Sequence, residues 1–522
     1  MYRSQDRDRY QKKLTKLLRQ VVDEHLFTMV WSVNAIQSGR AESVLPSQFI
    51  YPSEAVTSSL SDPATIHPWK LETLLNESLT TSKIPSHRFV DCSQFRTAVL
   101  FANILRGLEN AYDGISLLDH SVFYEMGRIS QRQFEWQRGF LNIPNFYRSG
   151  YIYGGPVSRG VFLNKWGITM SDFGLICFGL RSMYQSRPHI GHGGGIPELS
   201  ISEETLDLAW KKISLPYDEA VEMTKELRSG GGHISYRKSI FRIFPCVSFG
   251  EASKRIYSPL PDLLTARSTS GLYYDLVADK GAVREIGSRF HEYAFQLLDN
   301  FTDSITAENE FNYQAKKGES YDSPDILMSK INDIEIIVEC KATRLTYGAR
   351  FGENPIEEAT REYSEIAKAV FQIWRFVSHV RRGICVSRTL SDNPVGVVLT
   401  LDTWLTMDTV LRPNIMQIVD RMIIDKAVDI TESDKIPIIF CPIDDLEITL
   451  REATEESFLR ALKATAESGF DGWSLWSVHS KIEPELHVDN EYPFSSRLGE
   501  VMAWAKYVFP DSASLRTESD SS

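Results

Sequence analysis

One stretch near the middle of the chain, Ser323 to Arg344, constrains the fold more than any other. Its sequence, SPDILMSKINDIEIIVECKATR, predicts two strands joined by a tight turn at Asn332-Asp333. Ile334, Ile336, Ile337 and Val338 make the second strand apolar on both faces, which is typical of a strand at the centre of a covered sheet. This stretch therefore predicts a β-hairpin inside a larger sheet with helices on its faces.

The turn geometry decides which side chains of the hairpin meet. A three-residue loop centred on Asn332 would pair Lys330 with Ile334, and continuing that register places Asp325 opposite Glu339. A two-residue loop would shift the pairing by one residue and turn the two carboxylates towards different faces. We expect the three-residue loop.

In that register the hairpin brings two carboxylates and an ammonium close together. Glu339 and Lys341 are two residues apart, so they point to the same face, and Asp325 joins them there. Two carboxylates so close repel each other unless a cation lies between them, and hard divalent ions favour oxygen ligands. A surface strand with a solvated Glu-Lys pair is the plain alternative interpretation.

Composition limits the class of protein. The 522 residues have a net charge of −12, with 42% hydrophobic and 11% aromatic residues, which indicates a folded globular chain of several domains. The six cysteines are scattered and no two have CxxC spacing, which predicts reduced thiols rather than a zinc site or disulfides. The polar N-terminus and the short apolar runs predict a cytoplasmic protein without a membrane partner.

Changes of pattern along the chain predict three parts. Residues 1–232 are expected to form a mainly helical domain, 236–450 an α/β domain, and 451–522 a helical extension with a disordered tail. The boundary is placed at the glycine cluster Gly230–Gly232, where the hydrophobic period moves towards two.

Local patterns also predict individual elements around that boundary. A single helix is expected over Ser202–Arg228, and strands are expected at Phe241–Phe244 and Gly271–Tyr274.

The hairpin and its neighbours resemble the PD-(D/E)xK nuclease superfamily. The resemblance rests on Pro324-Asp325 and on Glu339-Cys340-Lys341, and it covers roughly Gly281 to Leu401. A helix, a strand, the hairpin, a second helix and a further strand are expected in that order. The resemblance implies a restriction-endonuclease-like α/β core, with a central mixed sheet flanked by helices.

The resemblance also implies roles for the motif residues. Asp325, Glu339 and the backbone carbonyl of Cys340 would bind Mg²⁺, or Mn²⁺, and Lys341 would orient the attacking water and offset charge on the phosphate.

Further residues have expected roles around this motif. Glu292, on the helix before the hairpin, would contribute to catalysis and to a metal ion. Gln372, on the helix after it, matches a glutamine found in some branches. Arg344, Arg350 and Arg375 are candidate contacts to the nucleic-acid backbone.

These expectations combine into a metal-dependent nuclease. DNA is the favoured substrate, and an RNA endonuclease, including one acting on transfer RNA, is the alternative within the superfamily. A non-catalytic nucleic-acid-binding or scaffold protein with a nuclease-like fold is the alternative outside it. By analogy the chain would be a restriction or antiviral defence effector whose residues 1–232 sense a trigger or a protein partner.

Overall fold

The computed structural model describes most of the chain, and all structural statements refer to that part. The described residues are 2–85, 89–119, 122–193, 201–230, 232–250, 255–316, 319–346, 350, 359–403, 411–426, 428–502 and 504.

Helices make up most of the described structure. None of them combines the length and apolar character that a bilayer-spanning helix requires. They are α1 (Tyr2–Leu18), α2 (Asp23–Ile36), α3 (Pro68–Thr80), α4 (Phe95–Asp119), α5 (Val122–Arg138), α6 (Ile143–Tyr153), α7 (Pro156–Trp166), α8 (Met170–Tyr184), α9 (Glu203–Ile213), α10 (Tyr217–Leu227), α11 (Asp262–Ser268), α12 (Tyr273–Leu276), α13 (Lys280–Phe301), α14 (Thr360–Arg381), α15 (Leu411–Asp425), α16 (Ile443–Glu452), α17 (Glu455–Thr465), α18 (Leu475–Ile482) and α19 (Leu498–Val501).

The described strands form three sheets. A four-stranded sheet has the order β1-β4-β3-β2, a five-stranded sheet the order β11-β10-β9-β8-β5, and β6 pairs with β7. The strands are β1 (His189–Gly191), β2 (Ser214–Pro216), β3 (Cys246–Phe249), β4 (Arg255–Tyr257), β5 (Ile305–Asn309), β6 (Asn312–Lys316), β7 (Glu319–Asp322), β8 (Ile326–Lys330), β9 (Asp333–Lys341), β10 (Thr389–Thr400) and β11 (Ile438–Pro442).

The chain divides into two compact units. The first comprises Met1–His120, Arg132–Asn142 and Arg159–Ala278. The second comprises Ser121–Gln131, Ile143–Ser158 and Asp279–Ser522. The last change from the first unit to the second falls after Ala278, and the glycine cluster lies within the first unit.

Ion pairs explain why the chain around that glycine cluster belongs to the first unit. Helix α3 presents two buried acids, Glu72 and Glu77, to the chain that flanks residues 230–232. Glu77 binds Arg228 before the cluster, and Glu72 accepts from Arg242 Nε at 2.8 Å after it. Ion pairs to α3 on both sides of the cluster therefore tie this segment to the first unit.

Three expected elements of the first unit are wrong. The helix predicted over Ser202–Arg228 is two helices, α9 and α10, separated by strand β2, which ends at Pro216. Proline lacks the N–H that a helix interior needs, so it ends the pattern there. The strands predicted at Phe241–Phe244 and Gly271–Tyr274 are instead short 3₁₀ turns at Ile240–Arg242 and Ser270–Leu272, the second leading into α12.

The second unit is an α/β structure built on the five-stranded mixed sheet. Strands β5, β8 and β9 are antiparallel neighbours, whereas β9, β10 and β11 are parallel neighbours. Helix α13 precedes β5, and α14 connects β9 to β10. Helix α14 is the long crossover that a parallel pair requires.

The hairpin of β8 and β9 has the expected register near Asp325, although its turn differs from the expected one. Its loop has two residues, so Lys330 pairs with Asp333 and the predicted pairing of Lys330 with Ile334 is wrong. A β-bulge between Met328 and Ser329 then shifts the pairing by one residue, so that Ile326 lies opposite Val338. The extra residue of a bulge cancels the slip introduced by the shorter loop.

The two faces of this sheet are covered by different helices. The face of β8, β9 and β10 that carries Leu327, Ile337 and Val398 packs in one apolar cluster with α14 and α15. Neighbouring residues such as Ile326 and Val338 are also buried but lie outside that cluster. Helix α13 packs against β5 and β9 without joining the α14 cluster, so it covers the opposite face.

Candidate metal-binding site at the end of strand β9

Three charged side chains meet where β9 ends. Glu339 and Lys341 follow Ile337 at intervals of two, and Asp325 lies two residues before Leu327. All three therefore belong to the face that α14 covers. The restored register places Asp325 one step beyond the pair Ile326–Val338, opposite Glu339.

Hydrogen bonds fix this arrangement. The backbone N–H of Cys340 donates to Asp325 Oδ2 at 2.6 Å, so the aspartate is bonded to β9 just before the first residue of β8. Lys341 Nζ donates to Glu339 Oε1 at 2.9 Å. The structure thus brings together the three residues that the sequence placed on one face.

Glu339 is the most unusual group of the three. Its residue is 2% exposed, and its second oxygen, Oε2, is buried without a hydrogen-bond partner. Burial raises the pKa of Glu339 to about 7; the charge of Asp325 adds to the shift, whereas Lys341 and the backbone N–H of Asp325 oppose it. A carboxylate oxygen without a partner in a dry site costs stability unless a cation or a proton satisfies it.

This pKa gives a testable dependence of stability on pH. The quantity to measure is the unfolding free energy of the parent minus that of Glu339→Gln, without divalent ions. We expect this difference to fall by about 1–3 kcal/mol from pH 4.5 to pH 7. The folded pKa lies above the unfolded value, so in this window the folded chain binds more protons and loses stability as the pH rises. Denaturant unfolding in EDTA across this pH range measures it.

A variant on the same strand is the matched control for that measurement. Glu335 forms a surface ion pair with Lys463 Nζ at 3.0 Å, so Glu335→Gln changes a carboxylate of β9 outside the buried site. A difference between the parent and Glu339→Gln that stays constant from pH 4.5 to pH 7 would contradict the assignment of the shifted group.

The cysteine between the two motif residues does not offer a thiolate. Burial raises the pKa of the Cys340 thiol well above its ordinary value, and Asp325 and Glu339 raise it further. Its side chain therefore stays neutral, and the backbone carbonyl is the ligand that Cys340 can provide.

The oxygen atoms at this site suit a hard divalent cation, with ligands from side chains, the backbone and solvent. Among the described residues, no three His, Cys, Asp or Glu side chains converge as a metal-binding group. Asp325 and Glu339 supply two carboxylates, and a backbone carbonyl with solvent would complete a shell suited to Mg²⁺. The partnerless Glu339 Oε2 is the structural feature that such an ion would satisfy.

Glu292 does not join these carboxylates in the described structure. It lies exposed on α13, where it accepts a hydrogen bond from Gln296 Nε2 at 3.3 Å and bonds to Tyr151. Helix α13 packs on the sheet face opposite to Asp325 and Glu339. The predicted roles of Glu292 in catalysis and metal binding therefore have no support from its position.

Gln372 lies on α14, the helix that covers the charged face. Its neighbour Ile373 packs against Gly396, which pairs with Ile337, so this part of α14 lies about one turn from the level of Glu339. Gln372 Oε1 is buried without a hydrogen-bond partner, as Glu339 Oε2 is. Gln372 remains a candidate that faces the helix–sheet layer.

A residue that the sequence reasoning missed also acts at this site. Glu365, one turn into α14, raises the pKa of Lys341 together with Glu339 and Asp325, against the lowering effect of burial. It forms an ion pair with Lys368 at 3.8 Å on the partly exposed side of the helix. The spacing of seven residues between Glu365 and Gln372 could have indicated a shared helix face.

The three candidate arginines are engaged within the second unit. Arg344 donates to Asp402 from Nε at 3.3 Å and from Nη2 at 3.2 Å, and Arg350 bonds to the same carboxylate. Arg375 lies over the ring of Tyr321, with its guanidinium carbon 5.0 Å from the ring centroid. Arg344 and Arg350 therefore form one cluster at the end of β9, and Arg375 packs elsewhere on α14.

Comparisons with protein-family models, with curated proteins and with solved structures gave no match for this chain.

Proposed function

We propose that this protein is a divalent-metal-dependent nuclease whose active site is the group formed by Asp325, Glu339 and Lys341. The observation that carries the proposal is the buried Glu339 oxygen that lacks a partner beside a second carboxylate and an ammonium. Three such groups at the end of a central strand cost stability, and proteins keep costly polar groups mainly where function needs them.

The order of elements around the site supports the same proposal. Helix α13, strand β5, strands β8 and β9, helix α14 and strand β10 occur in the order that the resemblance to PD-(D/E)xK nucleases implies, with the separate pair β6–β7 inserted between β5 and β8. We therefore extend the proposal to a restriction-endonuclease-like core, with DNA as the favoured substrate.

The residues have distinct tasks in this proposal. Asp325 and Glu339 hold the divalent ion, with the Cys340 carbonyl as a further ligand. The ion, when bound, supplies a Lewis acid for the phosphate. Lys341 gives up its hydrogen bond to Glu339 Oε1, orients the attacking water and offsets the charge that develops on the phosphate oxygens. Burial under α14 strengthens each of these interactions by excluding water.

A digest tests the proposal directly. Supercoiled plasmid, single-stranded DNA and total RNA are incubated with the purified protein in Mg²⁺ or in EDTA. The expected result is cleavage of DNA that requires Mg²⁺. Cleavage of RNA alone would change the substrate class and keep the mechanism, whereas a folded protein that cleaves none of the three in Mg²⁺ or Mn²⁺ would contradict the proposal.

A further inference from the structure

A second charged cluster lies beside the first. Thr400, the last residue of β10, pairs with Lys341, and the N–H of Leu401 donates to the Lys341 carbonyl at 3.2 Å. Asp402 follows Leu401, and its carbonyl accepts from the Thr400 hydroxyl at 2.7 Å, so Asp402 lies at the same end of β10 as the residue that pairs with Lys341. The two clusters occupy the same edge of the sheet.

Asp402 organises this second cluster. It is 8% exposed and binds two guanidinium groups, those of Arg344 and Arg350. Burial alone would raise the pKa of Asp402, but the two arginines hold it well below its usual range, so the carboxylate stays ionised. Arg344 donates from two adjacent nitrogens, Nε and Nη2, to the two oxygens of Asp402, which fixes the plane of its guanidinium.

Both arginines follow Lys341 closely in the sequence, so they are candidates to bind the same nucleic-acid backbone. Arg344 lies three residues after Lys341, and Arg350 lies nine after it. A planar guanidinium matches the geometry of phosphate oxygens, and nucleic acids carry phosphates at short, regular intervals. A backbone with one phosphate at Lys341 would therefore bring a neighbouring phosphate to this edge of the sheet.

We propose that Asp402 is a positioning residue, which holds Arg344 and Arg350 so that they bind a phosphate next to the scissile one. This inference rests on the proposed nuclease function and adds to it a second phosphate subsite. The phosphate is either an internal diester of the bound strand or a monoester at a strand end, and both present non-bridging oxygens that accept hydrogen bonds from a guanidinium.

Binding without cleavage tests the subsite. Fluorescence anisotropy of labelled duplex DNA is measured in EDTA at KCl concentrations from about 50 to 300 mM. Arg344→Met and Arg350→Met are each expected to weaken binding about tenfold at moderate salt and to lower the salt slope by about one. Asp402→Asn is expected to weaken binding by several-fold and to raise KM, with kcat at saturating DNA within about threefold of the parent.

Asp434 provides a matched control. It is also buried beside two arginines, Arg381 and Arg382, each 3.7 Å away, but it precedes β11 and so lies at the opposite edge of the sheet. Asp434→Asn is expected to leave DNA affinity and its salt slope unchanged. Equal effects of Asp434→Asn and Asp402→Asn on binding would mean that both act through folding, which would overturn the positioning role.

The remaining outcomes separate the subsite from the nuclease proposal. If the parent cleaves DNA while Asp402→Asn and Arg344→Met bind with parental affinity and salt slope, the subsite is wrong and the nuclease stands. If the parent binds neither DNA nor RNA, both fail. Duplexes with 5′-phosphate and with 5′-hydroxyl ends distinguish the two kinds of phosphate. If Arg344→Met weakens binding only of the 5′-phosphorylated duplex, the subsite binds a terminal monoester. If it weakens binding of both duplexes equally, the subsite binds an internal diester.

Discussion

Lys341→Met is expected to lower Mg²⁺-dependent cleavage by about 10²–10³-fold, the cost of removing one group aimed at charge that develops in the transition state. The variant keeps the length of the side chain and removes its ammonium. Glu339 then lacks the partner that holds its pKa down, so it binds a proton more readily and the fold is retained. Initial rates with plasmid DNA, together with a thermal melt, measure both effects.

A second lysine in the same hairpin controls for the loss of charge. Lys330 is exposed at the far end of β8, where it pairs with Asp333 across the turn. Lys330→Met is expected to cleave at nearly the parental rate. Parental cleavage by Lys341→Met, in a protein that melts normally, would remove Lys341 from the proposed mechanism.

Metal dependence separates the role of Lys341 from that of the carboxylates. Asp325→Asn weakens the metal site, so high Mg²⁺ is expected to restore part of its lost activity by mass action. Lys341→Met acts after the metal is bound, so added Mg²⁺ is expected to leave its rate low. Restoration of Lys341→Met by Mg²⁺ to the same extent as Asp325→Asn would contradict this division of roles.

Asp275→Ala is expected to lower the unfolding free energy of the first unit by about 3–5 kcal/mol, the usual cost of leaving buried charges without their partner. Asp275 accepts from Lys212 Nζ at 2.7 Å and from Arg267 Nη1 at 2.9 Å. The Lys212 side chain is 0% exposed, and its ammonium lies 3.6 Å from the centroid of the Trp166 ring. Without Asp275, Arg267 would remain buried without that carboxylate, and Lys212 would have to give up its proton.

The opposite substitution in this cluster is the matched comparison. Burial, followed by the charge of Arg267, lowers the pKa of Lys212 to about 7, while Asp275 raises it. Lys212→Met removes the more strained cation and leaves the pair Arg267–Asp275 intact, so it is expected to change stability by less than about 1 kcal/mol. Denaturant unfolding followed by tryptophan fluorescence measures both variants. Equal losses for the two would contradict this account of the cluster.

The sequence predicted the shared face of Asp325, Glu339 and Lys341 better than it predicted the turn that brings them together. The apolar residues Ile334, Ile336, Ile337 and Val338 are read directly from the sequence, and the shared face of Glu339 and Lys341 follows from the alternation of side chains along a strand. The loop length and the bulge at Met328–Ser329 do not, because each depends on local backbone strain and on packing against β5 and β10. The predicted face was right at Asp325 because two deviations of one residue cancel.

Long-range partners set the limit of prediction elsewhere. Asp402 lies 58 residues from Arg344 and 52 from Arg350, so no local pattern could reveal that one carboxylate binds both. The same holds for the pairing of the α3 acids with arginines on both sides of the glycine cluster, which ties that segment to the first unit. In contrast, Pro216 was visible inside the predicted helix and could have indicated its break.

The binding of Mn²⁺, measured by electron paramagnetic resonance, tests the central claim most directly because it needs no knowledge of the substrate. The structure predicts that the parent binds Mn²⁺ at one site per chain and that Mg²⁺ competes for it. Asp325→Asn and Glu339→Gln are expected to lose the ion, and Lys341→Met is expected to keep it. A parent protein that binds no ion, or equal binding by the parent, Asp325→Asn and Glu339→Gln, would contradict the assignment of this metal site.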